Sequence, residues 1–312
     1  MLSDNSLSSH TSGAPPLVSV IVFTYRHEAF IAQAVDSVLS QQTDFPIEIL
    51  IVEDCSPDRT RDIVLDLQRR HPDTIRLFLS ERNRNDNMGT IRAWEAALGT
   101  YIAQLDGDDY WTDPLKLQKQ VEFLERHPDV FVCGHAVTVV DEHGKELKAN
   151  KFDVHEDRHL SREDLAAGYG FSSLSVLFRN NKRVPPHRIF TDVFNADSFM
   201  FSFFANFGAG YVSRDVMGAY RAHPGGAWST LDARRATDHR NATLSRIPKV
   251  LSGSLRSIAY AKFLSHSLWE DDRWSRKMGQ IPYAVVMMLV SLTPRSAAYL
   301  VKRFIRRVFP RL

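Results

Sequence analysis

From Leu17 to Thr24 the chain reads LVSVIVFT, and from Ile47 to Val52 it reads IEILIV. Aliphatic and β-branched runs of this length predict strands buried on both faces. Between them Ile31, Ala34, Val35 and Val38 recur at helical spacing within Ala29 to Leu39 and predict an amphipathic helix. Ser56 and Pro57 offer a cap and a first-turn proline for a second helix, which Ile63, Leu65 and Leu67 carry to Arg70. A third strand is predicted over Ile75 to Leu79, a helix over Thr90 to Leu98, and a fourth strand over Tyr101 to Leu105. Strands alternating with helices predict a parallel sheet wound by right-handed crossovers, in which ligands sit beyond the carboxyl ends of the strands.

Those ends carry the polar residues. Thr24-Tyr25 follows the first strand, Glu53-Asp54 the second, and Asp106-Gly107-Asp108-Asp109 the fourth. Three carboxylates around one glycine repel and raise one another's pKa, and Mg²⁺ or Mn²⁺ shared with a substrate phosphate relieves that repulsion. The other reading is a solvated acidic turn that caps the helix starting near Pro114. Convergence of three strand ends on one edge favours the metal and phosphate reading.

Beyond Pro114 the pattern loosens. Leu117, Val121 and Leu124 form one stripe of a helix over Pro114 to His127, and Val130 to Val140 reads as a strand closed by a turn at Glu142-His143-Gly144. Lys145 to Arg158 is a charged stretch that reads as a surface excursion over the acceptor. Leu174 to Phe178 returns to strand character, and Ser198 to Phe207 to helix.

The chain's 312 residues, 44% hydrophobic, suffice for a large core, and a formal net charge of +2 gives no overall basic surface for nucleic acid. Cys55 and Cys133 have no metal-type or redox-type spacing and read as free structural thiols of a reducing, cytoplasmic compartment. Residues 1–16 lack the basic and apolar regions of a secretory signal and read as a mobile polar tail. Ile281 to Leu292 is apolar but short for a membrane span. Residues 295–311 interleave Arg295, Lys302, Arg303, Arg306, Arg307 and Arg311 with apolar positions. That pattern fits a basic amphipathic helix on an anionic membrane surface, or a terminal helix packed on the protein or a second copy of it.

The segments PLVSVIVFTY, IEILIVEDCSPDRT, NMG and GTYIAQLDGDDYW, in this order from Pro16 to Val140, resemble glycosyltransferase family 2. The resemblance implies a GT-A type fold: an α/β, mostly parallel sheet sandwiched by helices over residues 17–230. Residues 17–112 would form the nucleotide-sugar-binding half and 113–230 the acceptor and catalytic half, followed by a helical C-terminal extension over 231–312. It further implies an inverting transfer from a nucleotide sugar to a glycan or lipid-linked acceptor, with a place in bacterial surface polysaccharide biosynthesis as the family analogy. By the same carry-over, Thr24 and Tyr25 border the nucleotide, and Asp54 meets the N3–H of uracil or thymine. Glu53 stands where relatives often have another aspartate. Asp106 would lie near the ribose beside Gly107, Asp108 would hold the metal, and Asp109 would support or cap. Arg92 is offered to the phosphates, with a solvated helix position as its alternative.

Asp197, in FNADSFMFSFF, matches the carboxylate that takes the acceptor proton in related enzymes, although its neighbours depart from the usual pattern; Asp192 is the nearest rival. Tyr220-Arg221-Ala222-His223-Pro224-Gly225-Gly226 resembles the YRxHxGG segment of a bacterial subset. There His223 would reach the metal or diphosphate, with the glycines as hinge. Three rivals remain. A sugar nucleotidyltransferase would need a glycine-rich basic loop that Thr24 to Ala29 lacks. An aspartyl phosphatase would carry its Asp-x-Asp turn after an early strand. A non-catalytic nucleotide-sugar-binding scaffold would leave Asp197 structural.

Overall fold

A computed structural model describes residues 14–84, 86–183, 185, 187–191, 193–226 and 231–269. The segments 281–292 and 295–311, Asp192 and most of the N-terminal tail lie outside the described residues.

Four strands open the chain: β1 (Val18–Thr24), β2 (Ile47–Glu53), β3 (Ile75–Leu79) and β4 (Tyr101–Asp106). They pair parallel in the order β3-β2-β1-β4. Their connections hold helices α1 (Ile31–Leu39), α2 (Thr60–Arg70) and α3 (Met88–Ala96). Alternation along each strand sends side chains to two layers. Val18, Val20 and Val22 of β1 join Ile49 and Ile51 of β2 under α1 and α2, while Ile21, Leu50 and Val52 face α3. Both faces are thus covered, which is why these strands carry no polar alternation.

The remaining strands are β5 (Tyr110–Trp111), β6 (Val130–Val140), β7 (Glu146–Lys148), β8 (Arg158–Leu160), β9 (Leu177–Arg179) and β10 (Ala209–Arg221), with α4 (Lys116–Arg126) before β6. The short β9 lies antiparallel to both β4 and β6 and joins the halves of the sheet, and β10 runs parallel to β6. Two antiparallel steps make β6 and β10 parallel to β4. Six strands, β1, β2, β3, β4, β6 and β10, therefore end at one edge. Among the helices that follow, α5 (Arg162–Ala166), α6 (His187–Phe190) and α7 (Ala196–Phe204) cover the α3 face, together with α8 (Ala233–Arg246) and α9 (Gly253–Trp269). Leu244, Leu255, Ile258 and Ala259 from the last two share a core cluster with Ile21, Ile102 and Phe178, so residues 231–269 pack against the sheet.

Several local expectations shift. α2 starts at Thr60 and not near Ser56, because the Ser56 hydroxyl accepts from Arg26 N and its own N–H is taken by Glu53. The strand expected over Leu174 to Phe178 is a short 3₁₀ turn (Ser173–Ser175) leading into β9. The excursion after Val140 is tied down: β7 pairs with β6, and Lys151 N donates to Val137 O at 2.8 Å. Both cysteines are free, as read from the sequence.

Lys116, in the first turn of α4, is 0% exposed. Its Nζ has no hydrogen-bond partner among the described residues and rests 3.9 Å from the Trp111 ring centroid, and burial pushes its pKa down to about 7. Between that value and the unfolded value near 10.5 the unfolded chain holds the extra proton, so stability rises with pH across this window by up to about 1.4 kcal/mol per pH unit. Lys116→Met is expected to raise the melting midpoint at pH 7, with the gain shrinking toward zero by pH 10 in paired thermal melts.

Candidate active site

The shared strand edge gathers the chemistry. After β4, Gly107 N donates to Phe23 O at 2.7 Å, and a Cβ on Gly107 would stand 2.9 Å from both Thr24 Oγ1 and His27 Nδ1. Only glycine lets the acidic turn press this closely on the end of β1. The three carboxylates then meet different surroundings. Asp106 Oδ2 accepts from Ser173 Oγ at 2.5 Å, and burial, with the Asp108 charge beside it, pushes its pKa up to about 7. Burial also raises Asp108, yet the hydrogen bond from His223 and the neighbouring His27 bring it net below the usual carboxylate range. Asp109 is 2% exposed and lies well above that range, through burial and then the charges of Asp108 and Asp106.

His223 Nε2 lies 3.0 Å from Asp108 Oδ2, and His27 Nε2 lies 3.6 Å from the same oxygen. Burial lowers His27, against the pull of Asp108. His223 arrives at the end of β10, and Gly226 N donates back to His223 O at 3.1 Å in the turn that follows. Between strand and histidine, Arg221 clamps the acidic turn from the main chain outward. Its N–H donates to Asp109 Oδ1 at 2.8 Å, its Nε to Asp108 O at 2.8 Å, and its Nη2 to Gln33 Oε1 at 2.7 Å. The guanidinium packs over Phe30, 4.6 Å from the ring centroid. Among the described residues Asp109 Oδ2 is buried without a partner, so Oδ1 alone is held by them.

At the end of β2 the pair Glu53-Asp54 divides its work. Glu53 is 0% exposed, and its carboxylate accepts from Ser56 N and pairs with Arg61. Arg61 also donates to Ser80 O. Glu53, which stands where relatives often have another aspartate of the nucleotide-sugar site, has its side chain directed inward and fixes the turn in which Cys55 takes a left-handed φ of +58°. Asp54 is half-buried, and both of its oxygens accept from Arg84 N at 3.2 Å. Thr24 is buried and Tyr25 exposed at the rim. Arg92 sits on the exposed side of α3, a turn inside the helix and not at its opening, with its Nε turned back on Met88 O at 3.5 Å.

Asp197 lies in the first turn of α7, its Oδ1 accepting from Ser198 N at 2.6 Å. Burial raises its pKa, opposed by that hydrogen bond and by the charge of Lys151, and its own charge is felt at Asp106. Asp197 is therefore brought to the acidic turn from 88 positions along the chain (197 − 109). Sequence reasoning missed His27, Arg221 and Lys151 as members of this group. His27 stood inside the loop after β1 and Arg221 inside the YRxHxGG segment, so position signalled both, whereas Lys151 carried no signal.

The donor set bears on a metal. Among the described residues no three His, Cys, Asp or Glu side chains form a complete cage. Asp108 and His223 supply one oxygen and one nitrogen within hydrogen-bond distance of each other, and Mg²⁺ or Mn²⁺ ordinarily takes few protein ligands and completes its shell with phosphates and water. The residues fit an ion that arrives with a diphosphate.

Comparison with known proteins places this edge in a family. The model of "Glycosyl transferase family 2" matches residues 19–194, and the chain belongs to that family. An uncharacterized protein of Mycobacterium tuberculosis is 35% identical over 213 residues, covering 68% of this chain and 60% of its own length. The chain thus spans about three fifths of that relative. TuaG of Bacillus subtilis, a glycosyltransferase assigned to teichuronic acid biosynthesis, is 36% identical over 163 residues, 52% of this chain and 62% of TuaG. Among solved structures, S. aureus TarS 1–349 with UDP-GlcNAc aligns with a TM-score of 0.62 at 19% identity, covering 90% of this chain and 83% of that one. The mannosyltransferase PcManGT from Pyrobaculum calidifontis with GDP-Man and Mn²⁺ aligns with a TM-score of 0.58 at 16% identity, covering 96% and 89%. These likenesses establish the GT-A type fold. Among the described residues no helix is long and apolar enough to cross a membrane.

Proposed function

We propose that this protein is an inverting, metal-dependent glycosyltransferase that moves a sugar from a nucleotide-diphosphate sugar, UDP- or dTDP-linked by preference, to a glycan or lipid-linked acceptor in bacterial surface polysaccharide biosynthesis. The observation that carries the reading is Asp108, held ionised beside His223 at the end of β4, with Asp197 within electrostatic reach of the same turn. Thr24, Tyr25 and Asp54 border the nucleotide, and a carboxylate at Asp54 accepts from the N3–H that uracil and thymine carry. Glu53 acts through the turn it fixes. Asp106 and Gly107 lie along the ribose and diphosphate.

Asp108 and His223 would hold Mg²⁺ or Mn²⁺, which when bound stabilises the charge that grows on the leaving diphosphate. The protein's own part is to orient and to move one proton. Asp197 takes the proton of the acceptor hydroxyl as that oxygen attacks the anomeric carbon from the face opposite the diphosphate. Burial favours this exchange, because a carboxylate raised above its ordinary range is a stronger base when ionised. The 295–311 segment would hold the enzyme at the cytoplasmic membrane face where lipid-linked acceptors lie.

A thermal-shift panel of UDP, dTDP, GDP and their sugars with and without Mn²⁺ tests the reading. A ligand at one hundred times its Kd adds about 2.7 kcal/mol, enough for a midpoint shift of roughly 5 °C. One uracil or thymine nucleotide is expected to give that shift with Mn²⁺ and much less without it. A panel with no response would overturn the donor assignment.

A further inference from the structure

We propose that Lys151 is a binding residue for the diphosphate of the donor, reaching its oxygens from the β7–β8 connection while its ammonium rests on the Tyr220 ring. The inference builds on the donor reading above and adds a residue that lies outside every motif of the sequence. Lys151 follows β7, and its N–H is fixed to Val137 O of β6 at 2.8 Å. Its Nζ stands 3.0 Å from the centroid of Tyr220. Tyr220 immediately precedes Arg221, whose main-chain N–H holds Asp109, so the lysine is anchored to the same strand pair that clamps the acidic turn.

The ammonium stands in a field of four carboxylates. Burial lowers its pKa, and Asp109, Asp197, Asp106 and Asp108, in that order, act against the lowering. The same four, after burial, raise Tyr220 to about 12. Among the described residues the ion pairs at this cluster join Asp108 to His223 and to His27, and neither includes Lys151. The lysine therefore answers to the whole cluster without closing a pair with any single member. A ring face engages the charge of an ammonium but accepts none of its three N–H groups in a directed bond. Phosphate oxygens are the complementary group: anionic, multiple and arriving next to carboxylates that otherwise repel them. A point charge on a flexible stem also follows a diphosphate that moves away as the glycosidic bond breaks, which a rigid guanidinium fork does less well.

The test is calorimetric titration of the full chain with UDP, dTDP and GDP in Mn²⁺, alongside ligand-observed NMR titration with the matching nucleosides. For the nucleotide that wild type binds, Lys151→Met is expected to weaken the diphosphate at least tenfold and leave the nucleoside unchanged, while Lys151→Arg stays within about threefold of wild type; a thermal melt checks that both variants fold. Equal weakening of diphosphate and nucleoside would assign Lys151 to structure and overturn the inference. Unchanged diphosphate affinity in Lys151→Met also overturns it, including the case where only the acid limb of the pH–rate profile moves, since that outcome makes the lysine a tuner of Asp197. A wild type that binds none of the three overturns the donor reading and this inference together, whereas a binding wild type with an equally binding Lys151→Met overturns this inference alone.

Discussion

Asp197→Asn is expected to lower the transfer rate by about 10²–10⁴-fold while leaving nucleotide affinity and fold intact, because a general base contributes on that scale. Asparagine keeps an oxygen at the position that accepts from Ser198 N, so the helix start is preserved and only the proton-accepting charge is removed. If Asp197 serves only to cap α7, the variant should turn over like wild type. The non-catalytic scaffold reading predicts no transfer from either protein. The pH profile gives a second check. Burial raises the Asp197 pKa, so the ionised base is lost as pH falls through a value above the ordinary carboxylate range, and the acid limb of kcat should sit correspondingly high. The sign for stability runs the other way. A carboxyl whose folded pKa is raised binds more protons folded than unfolded, so it costs stability as pH rises through that window, and Asp197→Asn should melt no lower than wild type at pH 7. Initial-rate measurements of sugar-nucleotide turnover from pH 5 to 9, with a melt at each pH, read both effects.

The sequence was most legible where one force acts alone. β3 and β6 carry the bounds expected for them, and β1, β2 and β4 lie within a residue of theirs, because strands covered on both faces need continuous apolar runs. The acidic turn was legible because three carboxylates beside a glycine are hard to explain without a ligand. β10 was not read as a strand. Its Ser213-Arg214-Asp215 stretch interrupts the apolar pattern where the register with β6 shifts, and the strand is set by pairing on both sides. Arg221 and His223 reach the turn because β10 ends at the same edge as β4, a consequence of topology that no local pattern carries. Lys151 was hidden for the same reason, since a lysine in a charged stretch looks solvated until the chain is seen to fold back on β6. Glu53 shows the opposite case. A carboxylate at a ligand-facing strand end looked available, but alternation turns it inward, and Arg61 eight residues on engages it.

Asp108→Asn should abolish the Mn²⁺-dependent part of nucleotide binding, with a loss of at least 100-fold in affinity and transfer below detection. Asp108 is the one carboxylate of the turn brought net below the ordinary range, and so the one fully ionised at neutral pH, whereas its charge helps push Asp106 and Asp109 upward. An amide removes the anionic ligand but keeps the shape. His223→Ala is expected to cost less, about 10- to 100-fold in metal affinity, the scale found for a group that supports or completes a metal shell. The two changes should not add, since His223 Nε2 and Asp108 Oδ2 are 3.0 Å apart and, in the proposed reading, hold one ion. The double variant should therefore bind nucleotide no more weakly than Asp108→Asn alone. Removing the metal with EDTA should bring wild type to the same level, and Mn²⁺ should restore only wild type. Because Asp108 is also a like charge beside two buried carboxyls, its loss should leave the metal-free melting midpoint at or above that of wild type. A midpoint that collapses in Asp108→Asn would show the turn to be held together by its His223 and His27 contacts and would remove the basis for placing a metal there.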